Sequence, residues 1–292
     1  MATQVVVFNQ EVKMFMYQIG ANDVTFIGYS QGGIIGRFLV EQHNANGYFH
    51  TFISIAAPLA GQYGSGGVEE EFKSLLYLIM GVEKTEQLLT NLGGMVNFFD
   101  LLCSGQITLD LNIAGLPELK ADNLHETLAP CAYWRNPLTW AHQKTLDTYF
   151  NRMNNQNFTE EGQKLKENFS NLKKLVMVGS PNDRVVNPWE SSHFGFYPDG
   201  CVDSVDPMEE TDWFKDDNFG LHSLANAGAI VKCESIANHT NIITDRSMYE
   251  GCVRPHIATG DKWDREPTPS SNRGSTRPNQ MSHKVAVKKE DC

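Results

Sequence analysis

Positive charge is scarce in this 292-residue chain: 24 Lys and Arg stand against 35 Asp and Glu, a formal net charge of -11. That balance disfavours a nucleic-acid partner, because polyphosphates select basic faces. Long hydrophobic runs are also missing. The longest nearly uncharged apolar stretch, Leu88 to Phe99, contains Gly93 and Gly94. It falls short of the roughly 20 residues a bilayer span needs, so no transmembrane segment is expected. The first residues, MATQVVVFNQEVKMFMYQ, carry Glu11 and Lys13 within an apolar pattern. They lack a basic start, a long apolar run and a small-residue cleavage site, so no secretory leader is expected in them. The six cysteines include no Cys-x-x-Cys pair and no Cys/His metal spacing. No metal or other cofactor is therefore expected, and cysteine pairing stays open. Asn157, Asn168 and Asn238 each begin an Asn-x-Ser/Thr triplet, which is compatible with a secretory route.

What the chain does have is enough apolar residues, 41% hydrophobic and 10% aromatic, for one sizeable core, with no internal repeat. Val5, Val6, Phe8, Val12, Phe15, Met16 and Ile19 fall at helical intervals, predicting an amphipathic helix over about 3–19. Val24 to Tyr29 is a short β-branched and aromatic run of the kind that forms a buried parallel strand. A helix through Ile34, Ile35, Phe38 and Leu39 follows, then a second such strand, Thr51 to Ala57, stopped by Pro58. Over residues 68–102 the spacing of Phe72, Leu75, Leu76, Ile79, Leu88, Leu89, Leu92, Val96 and Phe99 predicts two or three inserted helices. Residues 103–169 read as polar and mixed, with one helix over Thr139–Met153. Leu172 to Val178 reads as a strand, Gly220 to Gly228 as a short helix, Ala229 to Cys233 as a last strand and Asp245 to Ile257 as a terminal helix. From Thr259 onward Pro, Ser, Asn, Arg and Lys replace periodic hydrophobics, so a main domain over 1–258 and a disordered tail over 259–292 are expected.

Gly28-Tyr29-Ser30-Gln31-Gly32 lies between the first strand and its helix. In that context Gly-x-Ser-x-Gly is a nucleophile elbow, a sharp turn that lifts a serine hydroxyl above a sheet. A glycine-rich β-α turn with no chemistry is the bland alternative. A serine hydroxyl needs a base to take its proton and a carboxylate to orient that base, in the chain order Ser, acid, His for this architecture. Asp183 follows the strand Leu172 to Val178 by a short loop, at the same sheet edge as Ser30. Its alternative is a turn-forming Asn-Asp pair. Among nine histidines, His239 follows the last strand, whereas His193, His222 and His256 do not have that position. Asp203, Asp206 and Asp245 do not directly follow a strong core strand. The backbone N–H of Gln31, next after the serine, is the expected oxyanion donor.

Several runs resemble the palmitoyl-protein thioesterases, and the second, lysosomal type more than the first: GYSQGG (28–33), FISIAAPLAGQYG (52–64), Cys131-Ala132-Tyr133-Trp134, VVNPWESSHFGFY (185–197), FGLHSLANAGAIVKC (219–233) and His239-Thr240. The resemblance covers about 5–258. It implies an α/β-hydrolase fold with a mostly parallel sheet and a helical lid insertion. It also implies a lysosomal glycoprotein, hydrolysis of fatty acyl thioesters from S-acylated proteins or acyl-coenzyme A, and Ser30, Asp183 and His239 as a triad. By the same resemblance Cys103 pairs with Cys131 and Cys233 with Cys252, leaving Cys201 and Cys292 without family partners. Measured against the family, the chain lacks the signal peptide, the first strands and the loop giving a second oxyanion donor, so a sheet with an exposed edge is expected. The insertion is expected to line an acyl groove, although Phe72 and Phe99 taken singly, like Trp189 and Phe194, read first as packing residues. A carboxylesterase or lipase using the same triad, and a non-catalytic fragment, are the remaining readings.

Overall fold

A computed structural model describes residues 2–64, 73, 74, 76, 77, 81–104, 129–139 and 148–257. The helix α1 (Ala2–Ile19) leads into β1 (Val24–Tyr29), α2 (Gln31–His43) and β2 (Phe49–Ile55). The inserted helices α3 (Val82–Leu92) and α4 (Met95–Cys103) come next, then the short α5 (Tyr149–Met153) and α6 (Glu160–Ser170). The chain returns to the sheet with β3 (Lys174–Gly179), α7 (Leu221–Asn226) and β4 (Ile230–Glu234). The four strands pair in sequence order, all parallel, with Tyr29 beside Ile55, Ile55 beside Val178 and Val178 beside Cys233. Their carboxyl ends therefore finish level. This is the α/β-hydrolase arrangement.

Alternation along the strands feeds two cores, because successive side chains leave opposite faces of the pleat. Phe52, Leu175 and Met177 join the larger core under α2, α6 and α7. Ile53, Val176 and Val178 join a smaller one capped by Ile242, Met248 and Val253. The insertion has a core of its own, made by Leu76, Leu89, Met95, Phe98, Phe99 and Leu102. The strand β1 is an outer strand, and its Ile27 is 45% exposed.

Three sequence expectations change. The helix α6 falls in a stretch read as mixed and polar. Its N-cap Thr159 accepts the Gly162 N–H, and Glu160 and Glu161 sit favourably at the positive end of the helix dipole. Only Gly162, Leu165 and Phe169 are buried, too few to mark an apolar stripe. The expected terminal helix over Asp245–Ile257 breaks into an α-turn (Arg246–Met248), a π-turn (Tyr249–Val253) and a 3-10 turn (Arg254–His256). Pro255 has no N–H to continue an α ladder, and Cys252 is tied by a disulfide to Cys233. Of the helix expected over Thr139–Met153, the described part is α5, whose N-cap Thr148 accepts the Asn151 N–H. Phe72, Leu75 and Ile79, and the tail over 259–292, lie outside the described residues.

The disulfides Cys103–Cys131 and Cys233–Cys252 match the pairing implied by the resemblance. Cys201 is also disulfide-bonded, where the resemblance gave it no partner. Of the three sequons, Asn157 and Asn238 are exposed, whereas Asn168 uses its amide nitrogen to donate to the Glu41 carbonyl at 2.7 Å.

A buried ion pair holds α2 in place. Arg37, fully buried, donates to Glu41 Oε1 at 2.7 Å, to the Leu59 carbonyl at 2.6 Å and to Asn154 Oδ1 at 2.7 Å. Its guanidinium also faces the rings of Phe219 at 4.3 Å and Phe194 at 5.1 Å. Desolvation pushes the Glu41 carboxyl up to about 7 from 4.5, prevailing over the attraction of Arg37. The folded state therefore holds this proton more tightly than the unfolded chain does. Its contribution to stability is complete below about pH 4.5 and is lost as pH rises through about 7. Melting curves of the wild type are expected to shift down across that window, and those of Glu41→Gln to lose this component. Parallel curves for the two proteins would exclude Glu41 as the titrating group.

Candidate active site

The loop between β1 and α2 explains its own glycines. A Cβ at Gly28 would meet the Gly32 carbonyl oxygen at 2.5 Å, and one at Gly33 would meet Ala57 Cβ at 2.4 Å. Gly32 faces open space. Gly28 and Gly33 are thus the sterically required residues, and the second glycine of the Gly-x-Ser-x-Gly pattern is not. Between them Ser30 is forced to φ 54°, ψ -127°, a region that disfavours any L side chain by about 1–3 kcal/mol. Its N–H donates to the Ile55 carbonyl at 2.9 Å, so β2 holds the turn from beneath.

The structure brings Ser30, His239 and Asp183 together from the carboxyl ends of β1, β4 and β3. His239 Nε2 lies 3.0 Å from Ser30 Oγ, and His239 Nδ1 lies 2.8 Å from Asp183 Oδ2. Asp183 Oδ1 accepts the N–H groups of Val185 at 2.8 Å and Val186 at 3.0 Å, which fixes the carboxylate plane. With Oδ2 accepting from Nδ1–H, Nε2 is left as the acceptor that faces the serine hydroxyl. The Asp183 side chain is fully buried and the His239 side chain is 10% exposed. Gln31 opens α2, so its N–H is a first-turn donor without an intrahelical acceptor, at the positive end of the dipole.

The alternative histidines and acids have other partners. His193 is bonded to the Cys233 carbonyl at 2.9 Å, His222 packs on Phe214, and His256 sits in the last 3-10 turn. Asp245 caps its own turn and accepts from Ser235 Oγ. Asp206 pairs with Phe196 through backbone hydrogen bonds. Trp189 packs on His193, and Phe194 is fully buried.

A narrow apolar cleft opens beside Ser30, walled by Val96, Phe99, Tyr133, Trp134, Val185 and Val186. Phe99 from α4 stacks on Trp134 at 5.6 Å, and the Trp134 indole N–H donates to Asp100. The Cys103–Cys131 disulfide ties α4 to the turn carrying Tyr133 and Trp134. Phe99 thus serves both as a packing residue of the insertion core and as cleft wall.

Two residues the sequence did not single out organise this mouth. Gln62 donates to the Val185 carbonyl at 2.9 Å and accepts the Asn187 N–H at 3.1 Å, tying the loop after β2 to the Asp183 loop. Tyr29 donates its hydroxyl to the His239 backbone carbonyl at 2.8 Å, and its ring lies 5.2 Å from the imidazole at a 35° tilt. Neither leaves a trace in periodicity. Only the position of Tyr29 next to the serine offered a cue.

A family model described as palmitoyl protein thioesterase matches residues 1–239. Lysosomal thioesterase PPT2-B of Xenopus laevis is 30% identical over 230 residues, 78% of this chain and 66% of that protein. The lysosomal thioesterase PPT2 homolog of Drosophila melanogaster is 28% identical over 254 residues, 85% of this chain and 74% of that protein. Palmitoyl-protein thioesterase 1 of Caenorhabditis elegans is 36% identical over 110 residues, 38% of this chain and 36% of that protein. The chain spans 66% of the length of the Xenopus laevis and Rattus norvegicus relatives. A match that runs from residue 1 to His239 itself makes this chain a member of the palmitoyl protein thioesterase family.

Proposed function

We propose that the chain is a serine thioesterase that removes long-chain fatty acyl groups, palmitoyl above all, from S-acylated proteins or acyl-coenzyme A. The observation that carries the reading is the hydrogen-bonded series Ser30–His239–Asp183 at the mouth of an apolar cleft. Ser30 Oγ passes its proton to His239 Nε2 as it attacks the acyl carbonyl, and Asp183 stabilises the imidazolium that forms. The Gln31 N–H stabilises the oxyanion. His239 then returns the proton to the departing sulfur, leaving an acyl group on Ser30 Oγ. A water molecule gives its proton to His239, attacks that ester and releases the fatty acid, and the proton goes back to Ser30. A thiol leaving group, with a pKa of about 8.5, asks less of the general acid than an alcohol does.

The walls support a long acyl chain, since each buried methylene contributes about 0.8 kcal/mol in an apolar site. Residues 1–258 act as one catalytic domain with the insertion at 68–102 as its lid. The lysosome is the proposed compartment, from the names of the relatives.

Wild type and Ser30→Ala, treated with a fluorophosphonate probe and assayed on palmitoyl-coenzyme A, acetyl-coenzyme A and the unactivated oxyester ethyl palmitate, test the reading. Labelling confined to the wild type, with the palmitoyl thioester turned over fastest, is the expected result. Absent labelling, or equal labelling of Ser30→Ala, overturns the serine mechanism. Faster turnover of the oxyester replaces the thioesterase by a carboxylesterase.

A further inference from the structure

Within the reading just given, we infer that Tyr29 is a positioning residue for the base: its hydroxyl and ring set where the His239 imidazole stands relative to Ser30. His239 is carried by the loop that follows β4. This loop leaves the sheet at Glu234, and its ties on either side run to the end of β3 and its following loop or stay within the loop itself. Ser235 N–H donates to the Gly179 carbonyl at 2.9 Å, Asn182 donates to the Ile236 carbonyl at 2.7 Å, and Asn241 N–H donates to Asn238 Oδ1 at 3.0 Å. At His239 itself the backbone is held by the Tyr29 hydroxyl, which donates to its carbonyl at 2.8 Å.

Tyr29 is covalently next to the nucleophile and is the last residue of β1, paired with Ile55 in the sheet. The path from Ser30 backbone to Tyr29 ring to His239 carbonyl therefore sets the serine–imidazole separation by a route that does not pass through Asp183. Asp183 fixes the tautomer and one ring edge, and Tyr29 fixes the backbone and one ring face. Ring and imidazole lie 5.2 Å apart with a 35° tilt, so the negative face of the phenol ring is offered to the imidazole. When His239 takes the serine proton, that face attracts the cation that results. Burial, and secondarily the charge of Asp183, raises the Tyr29 hydroxyl above its ordinary value, so it remains a donor.

The two parts predict separable effects. Tyr29→Phe keeps the ring and loses the anchor. It is expected to lower kcat about 10-fold at unchanged KM, within the roughly 10²-fold cost of a misplacement of about 1 Å. Tyr29→Leu loses both. It is expected to lower kcat about 10²-fold, again at unchanged KM. Melting temperatures establish that each variant is folded, and if Tyr29→Leu fails to fold, Tyr29→Phe carries the test through its loss in kcat at unchanged KM.

Fluorophosphonate labelling of the wild type is measured in the same experiment. Labelling of wild type with graded losses in the variants supports the positioning role. Labelling of wild type with variants at full kcat, or with losses that appear only in KM, overturns it and leaves the triad standing. A wild type that is neither labelled nor active overturns both.

Discussion

Ser30→Ala and His239→Ala are each expected to lower kcat on palmitoyl-coenzyme A by about 10⁶-fold, and the pair together by scarcely more, because the two groups act as one unit. Asp183→Asn is expected to cost about 10⁴-fold. The reason can be read from hydrogen bonds around the carboxylate. Val185 and Val186 both direct N–H groups at Oδ1. In the variant the amide oxygen takes that position and the NH₂ group faces His239 Nδ1, which must then accept. The ring proton moves to Nε2, pointing at Ser30 Oγ, and the imidazole no longer receives the serine proton. Single-turnover rates on the thioester measure this directly. A variant that keeps a tenth or more of the wild-type rate would remove Asp183 from the mechanism.

Arg37→Met is expected to destabilise the fold by about 3–5 kcal/mol, since a buried pair loses one partner and the acceptors Arg37 satisfies are left buried without it. The loss also leaves the Leu59 carbonyl and Asn154 Oδ1 without the donors that reach them now. Against a total stability of about 5–15 kcal/mol for a domain, this is a large fraction. Arg37→Met/Glu41→Gln is expected to recover part of the loss above about pH 7, where Glu41 would otherwise have to ionise or hold its proton without Arg37. Urea unfolding of the four proteins gives the coupling energy as a double-mutant cycle. Strictly additive effects would show that the two side chains do not act as a pair.

Much of the sheet was legible because β1, β2 and β3 are short, nearly continuous apolar runs, as buried parallel strands must be, whereas β4 carries exposed Lys232 and Glu234. Ser30 was legible from Gly28 before it and a helix after it, and Asp183 and His239 from the rule that these loops leave the carboxyl ends of strands. The positions were readable; the roles of neighbours were not. Gln62 acts through two backbone groups 123 and 125 residues away, a relation no local pattern encodes. The steric requirement at Gly33 comes from Ala57 and Ser54 on the next strand, so only the packed fold distinguishes it from Gly32. The helix α6 escaped because it buries few apolar residues and earns its place through a cap and two first-turn carboxylates. The terminal helix was over-read because regular apolar spacing does not register a proline and a cross-link.

The separate core of the insertion bears on how this molecule could diversify. Phe98, Phe99 and Leu102 pack among themselves, with their neighbours on α3 and α4 and with Trp134, in a cluster distinct from those that brace the strands. Side chains there can change size and shape while Ser30, His239 and Asp183 keep their spacing, since those three hang from the sheet. Selection for a shorter, longer or bent acyl chain therefore meets little resistance from the chemistry. Under the proposed function, substrate range is a trait of one module, and reactivity a trait of another.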